Sequence, residues 1–135
     1  MRLPRSVGIL LLLLGALVTG ASAQTAKPLT AGQVAGVWKV AGQSDDGTYH
    51  FKGTVEITPT ANVFRVTWKV ETVKATRGGY APFAEITGVG QLADGNFVAG
   101  YNQGLVVARP QPNGTFAVKW YHLSEPYSGF ETWSK

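Results

Sequence analysis

Histidine, serine and carboxylate are the side chains from which this sequence could assemble chemistry, and each is scarce or awkwardly placed. Only His50 and His122 are present, and there is no cysteine. A zinc site needs three or four ligands, so it would have to recruit carboxylates from separate strands. His50 falls on the polar side of an alternating segment and reads as a solvated side chain. His122 follows Tyr121 near a strand end and reads as a rim residue. Ser124, Ser128, His122 and Glu125 or Glu131 supply the types of a Ser-His-acid triad. No Gly-x-Ser-x-Gly elbow accompanies them, and nothing nearby would strain a serine into a nucleophile. Asp45 and Asp46 precede Gly47, where aspartate bonds its own local backbone in a turn. Ser44–Thr48 lacks the alternating oxygen ligands and distal glutamate of a calcium loop. Gly88-Val89-Gly90 lies inside a β segment and opens no helix, so it reads as a bulge or bend instead of a phosphate loop. No catalytic residue, metal or cofactor is assigned.

The aromatic residues carry the better functional signal. Tyr80, Tyr101, Tyr121, Tyr127 and Trp133 sit near turns or strand ends, where the mouth of a barrel would lie. Rings with a polar tip suit the rim of a small-ligand site or a protein contact. Arg77 and Arg109 would bring positive charge to such a site. These seven residues are the candidate contacts for a ligand or partner. Phe64, Trp68, Phe116 and Trp120 fall on core faces and read as packing.

Those residues must be positioned by strands, because the periodicity is two nearly throughout. Phe64, Val66, Trp68 and Val70 alternate with Arg65, Thr67, Lys69 and Glu71, which describes a half-buried strand with one wet face. Phe51, Val55 and Ile57 alternate with Lys52, Thr54 and Glu56, with Gly53 on the apolar side. Phe116, Val118 and Trp120 repeat the pattern. Shorter strands are expected over Val37–Ala41, Phe83–Leu92, Asn96–Tyr101, Leu105–Arg109 and Gly129–Ser134. Clusters of Gly, Asn, Asp and Pro separate them at hairpin spacing. Glu71–Ala84 is longer than a tight hairpin needs. No helical stripe appears after the leader, and Thr30–Val37 is a turn at most. The expected fold is all-β, a small antiparallel meander barrel of about eight strands, with a two-sheet sandwich as the alternative. A barrel of that size is either filled by side chains or just able to hold one small ligand. Replacing Gly53 by Leu is expected to be tolerated if it is hollow and to be destabilising if it is packed.

The N-terminus reads as an export leader: Arg2 and Arg5, an apolar run from Gly8 to Val18, then Ala21-Ser22-Ala23 before Gln24. The run is too short to span a bilayer. Residues 1–23 are therefore expected to be cleaved, with 24–34 an N-terminal segment and 35–135 a single barrel domain. The destination would be periplasmic or extracellular, with no transmembrane segment left after cleavage. Arg2 and Arg5 leave with the leader, so the working chain is less basic than the net charge of +4 for the whole sequence. Its Lys and Arg are scattered singly, which argues against a nucleic-acid partner.

Gly36-Val37-Trp38, Asp46-Gly47-Thr48-Tyr49, Lys52-Gly53-Thr54-Val55, Phe64-Arg65-Val66-Thr67-Trp68, Gly88-Val89-Gly90-Gln91-Leu92 and Gly129-Phe130-Glu131 resemble, in order, a group of small exported bacterial β-barrel proteins. Some of these carry a loose fibronectin-binding label. The resemblance implies a compact β fold, export and an adhesive role; its motifs are turn glycines and core aromatics, so no functional residue follows from it. Gly36-Val37-Trp38 also resembles the Gly-x-Trp of the calycins, the lipocalins and avidins. Three functions are expected in order: an exported non-enzymatic protein binding a protein or envelope-surface partner through loops, first Arg77–Pro82; a calycin-like carrier of a small apolar or aromatic ligand; and a small hydrolase.

Overall fold

The computed structural model describes residues 28–76, 78–123 and 127–135. The leader, Arg77, Ser124 and Glu125 lie outside the described residues. Eight strands follow one another: β1 Gly36–Ser44, β2 Tyr49–Thr60, β3 Val63–Ala75, β4 Phe83–Ala93, β5 Asn96–Tyr101, β6 Gly104–Pro110, β7 Phe116–His122 and β8 Tyr127–Ser134. Each is antiparallel to the next, and β8 returns to β1, so the sheet closes into a barrel in chain order. Six residue pairs, from Lys39↔Ser134 to Ser44↔Gly129, form that seam. Closure rules out the two-sheet sandwich.

The two-residue period dictates which side chains go inside. Val55, Ile57, Phe64, Val66, Trp68 and Val70 are buried, whereas Lys52, Thr54, Glu56, Arg65, Lys69 and Glu71 are exposed. On β2 and β3 this is the reverse of the apolar-out alternation of a lipid-spanning barrel. Asp94 and Gly95 both have positive φ, 50° and 77°, as the two-residue turn joining β4 to β5 requires. β3 runs on to Ala75, so the long connection expected over Glu71–Ala84 shrinks to the residues between Ala75 and Phe83.

The two ends of the barrel differ. One is plugged by side chains and by α1 (Ala31–Val34), a single helical turn preceding β1. The Gln33 side chain accepts the Thr30 backbone N–H at 2.8 Å. Val34 is fully buried, and its carbonyl accepts the Trp38 indole N–H at 2.8 Å. Beside it, Trp38 meets Phe116 edge-on with ring centroids 5.0 Å apart, and Phe64 meets Phe97 in the same way at 5.5 Å. Trp133 packs on both Phe97 and Phe116. That end is filled.

Two glycine readings change with the structure in view. Gly88 and Gly90 pair in unbroken register with Tyr101 and Ala99, and the Phe97 ring occupies the space a Cβ on Gly90 would need. Gly90 admits that ring and Gly88 the close approach of the Gly100 carbonyl, with no bulge at either; the register shift lies between His50 and Phe51. At Gly53 a Cβ would run into the backbone carbonyl oxygen of Lys69. The residue is therefore required by strand–strand approach, and Leu there does not separate a hollow barrel from a packed one. Gly53→Leu is expected to lose roughly 1–3 kcal/mol or more from overpacking, read as a lower urea midpoint; an unshifted midpoint would show that β2 and β3 can part at this point.

Candidate ligand cavity

At the other end the barrel is open. The first residue of β2, the last residues of β5 and β7, and the first residue of β8 place Tyr49, Tyr101, His122 and Tyr127 around one mouth. The connection from β3 to β4 crosses this mouth and is anchored on both sides. Thr72 donates its backbone N–H to the Pro82 carbonyl at 2.9 Å and its hydroxyl to the Ala81 carbonyl at 2.8 Å. Thr76 donates its backbone N–H to the Thr48 carbonyl at 2.8 Å. So held, Tyr80 lies flat on Tyr49, with centroids 4.0 Å apart and planes within 3°, and its hydroxyl bonds that of Tyr127. Asp45 fastens the neighbouring turn to the barrel wall. Lys119 donates to both carboxylate oxygens at 2.7 Å, and Ser128 donates to the same carboxylate. The Lys119 bond first, and then Ser128, hold this carboxyl below its ordinary value.

Beneath the tyrosines is a cavity of about 320 Å³, walled by Phe51, Trp68, Val70, Ile86, Val106 and Trp120. Its walls are apolar and aromatic, with a few polar groups converging on it, the usual composition of a small-molecule site. The floor is a carboxyl group. β8 sends Tyr127, Gly129, Glu131 and Trp133 inward, and Phe130 outward. Glu131 is 4% exposed and accepts the Trp133 indole N–H at 2.7 Å. Burial pushes its carboxyl up to about 7; the indole N–H groups of Trp133 and Trp68 oppose that rise only in part. No Lys or Arg is among the described residues lining the cavity. Burial, reinforced by the Glu131 charge, also pushes the Tyr101 hydroxyl up to about 12.

Trp120 lies across Gly129, where a Cβ would meet its indole ring. Its Nε1–H is buried and has no hydrogen-bond partner. A buried donor left unpaired costs on the order of 1–3 kcal/mol. His122 packs its edge against Tyr101, Trp120 and Tyr127 with centroids 5.4 to 5.9 Å apart.

Of the residues singled out from sequence, Tyr80, Tyr101 and Tyr127 come together in this cavity. Trp133 is fully buried beneath it and reaches it only through its bond to Glu131. Tyr121 is exposed on the outer face, and Arg109 is exposed next to the end of β6 at the plugged side. Ser128 binds Asp45, whereas His122 and Glu131 line the cavity. No three metal-ligating side chains gather among the described residues. Trp68 and Trp120, expected to be packing alone, also wall the site, and Tyr49 and Glu131 complete it.

No protein-family model and no curated protein matches the chain. Among solved structures, a de novo designed fluorescence-activating β-barrel is similar, with a TM-score of 0.58 and 16% identity over 78% of this chain and 96% of that one. The likeness is one of fold.

Proposed function

We propose that this protein is a non-enzymatic binding protein that holds a small, largely aromatic ligand in the open end of its barrel. The observation that carries the reading is the 320 Å³ cavity beneath Tyr80, with its aromatic walls and buried carboxyl floor. A barrel filled throughout would need side chains where this one has space. The similarity to a designed barrel named for fluorescence activation is in keeping with it. The leader motif and the resemblance to small exported bacterial barrels would place the protein outside the cytoplasm.

Native mass spectrometry of the protein purified from its own host tests the reading. An added mass that disappears on denaturation is the expected result, and it would identify the cargo. A bare mass, together with an unchanged melting temperature across a library of small aromatic compounds, would overturn it.

Action on a protein or envelope partner is the second reading, and a separate observation favours it. Leu105 and Tyr121, paired across β6 and β7, join Leu123 and Phe130 as large apolar side chains exposed on the outside. Exposed apolar groups of this kind accompany contact surfaces. Of the segment expected to make such a contact, Gly79, Tyr80 and Ala81 also line the cavity.

A further inference from the structure

Within the ligand-binding reading, we infer that the cavity selects an organic cation: a flat aromatic body seated among the tyrosines, bearing a protonated nitrogen that pairs with Glu131. Two features converge on this. Glu131 is a fully buried acid whose partners are neutral indoles, and no Lys or Arg lines the space above it among the described residues. A buried carboxylate without a cation is costly, and an incoming ammonium removes that cost. Tyr49, Tyr80, Tyr127, Trp68 and Trp120 line the space, and aromatic enclosures attract desolvated cations through the ring quadrupole. Once Glu131 is ionised, an anionic ligand would bring a second negative charge to the site.

The other titratable groups bordering the cavity are Tyr49 on β2, Tyr80 in the β3–β4 connection, Tyr101 on β5, His122 on β7 and Tyr127 on β8. None of the tyrosines supplies positive charge. When Glu131 enters the reaction protonated, the balance is simple. Its O–H bond breaks, the ligand N–H donates to the freed carboxylate, and one proton leaves to the buffer.

Calorimetric titration with three probes of one shape tests the inference: tryptamine (cation), tryptophol (neutral) and indole-3-acetate (anion). Near pH 8 tryptamine should bind at least about tenfold more tightly than tryptophol, with indole-3-acetate weakest. Near pH 6, tryptamine binding should release a proton, counted by repeating the titration in buffers of different ionisation enthalpy. Glu131→Gln should abolish the preference for tryptamine over tryptophol. Tryptophol binding as well as tryptamine would overturn the charge selection while leaving the ligand cavity standing. Silence from all three probes would overturn both. A preference that survives Glu131→Gln would remove Glu131 from the role. Should that variant fail to fold, the proton count on the unaltered protein decides, and zero release near pH 6 overturns the inference.

Discussion

Replacing Trp133 by alanine should destabilise the barrel by roughly 3–5 kcal/mol, as loss of a buried Trp generally does. Trp133 is fully buried at the plugged end and packs against Phe97 and Phe116, so the void would open where side chains are most tightly interleaved. A second loss would follow, since the Glu131 carboxyl would lose its donor at 2.7 Å. The two effects separate with Trp133→Phe, which keeps most of the volume while removing the N–H, the only part of the loss that depends on the charge of Glu131. Its cost should be about 1–3 kcal/mol near pH 8, where the acid is charged, and smaller near pH 5, where the acid holds its proton. Urea midpoints at the two pH values provide the check. Equal costs at both would show that the indole serves as packing alone.

Stability should fall as pH rises through the window between the ordinary carboxyl value of 4.5 and about 7. The sign follows from proton counting. In that window the folded protein keeps a proton on Glu131 that the unfolded chain has already released, so rising pH favours unfolding. Below the window both states are protonated and the full contribution is present. Above it the loss is complete, at up to roughly 3 kcal/mol for a shift of this size. Asp45, which Lys119 and Ser128 hold below its ordinary 3.8, acts only at more acid pH and in the opposite sense, losing its contribution as pH falls. Glu131→Gln should flatten the profile between pH 5 and 8, as measured by thermal or urea unfolding. A wild-type profile already flat there would mean that the carboxyl is ionised throughout.

The barrel was legible in the sequence because it rests on a local pattern. Alternation on Phe64–Val70 and Phe116–Trp120, punctuated by turns such as Asp94-Gly95, is a property of neighbouring residues, and β5 begins and ends where that pattern places it. The site depends on parity and on which end is open, and these are harder to read. In β8, aromatic residues occupy both parities: Tyr127 and Trp133 on one, Phe130 on the other. A glutamate between them reads as an outward-facing charge, although it shares parity with Tyr127, Gly129 and Trp133. That shared parity was the available signal. Trp133 and Tyr101 both lie near strand ends, but at opposite ends of the barrel. Only the placement of α1 and its buried Val34 settles which end is plugged. The reach of Tyr80 across the mouth depends on hydrogen bonds from Thr72 and Thr76, and no periodicity encodes those.

The seam between β1 and β8 joins Lys39 to Ser134, nearly the whole length of the barrel sequence apart. Such a contact is late by nature, since its loop-closure entropy must be met before any of its hydrogen bonds form. The strand that completes the ring also carries the acid at its floor. Until it docks, β1 and β7 each present a bare edge to any other extended chain, and Glu131 remains in water as an ordinary carboxylate. Assembly of the container and creation of its acidic floor are thus one event, and the kinetics of proton uptake during refolding would report the moment the ring shuts.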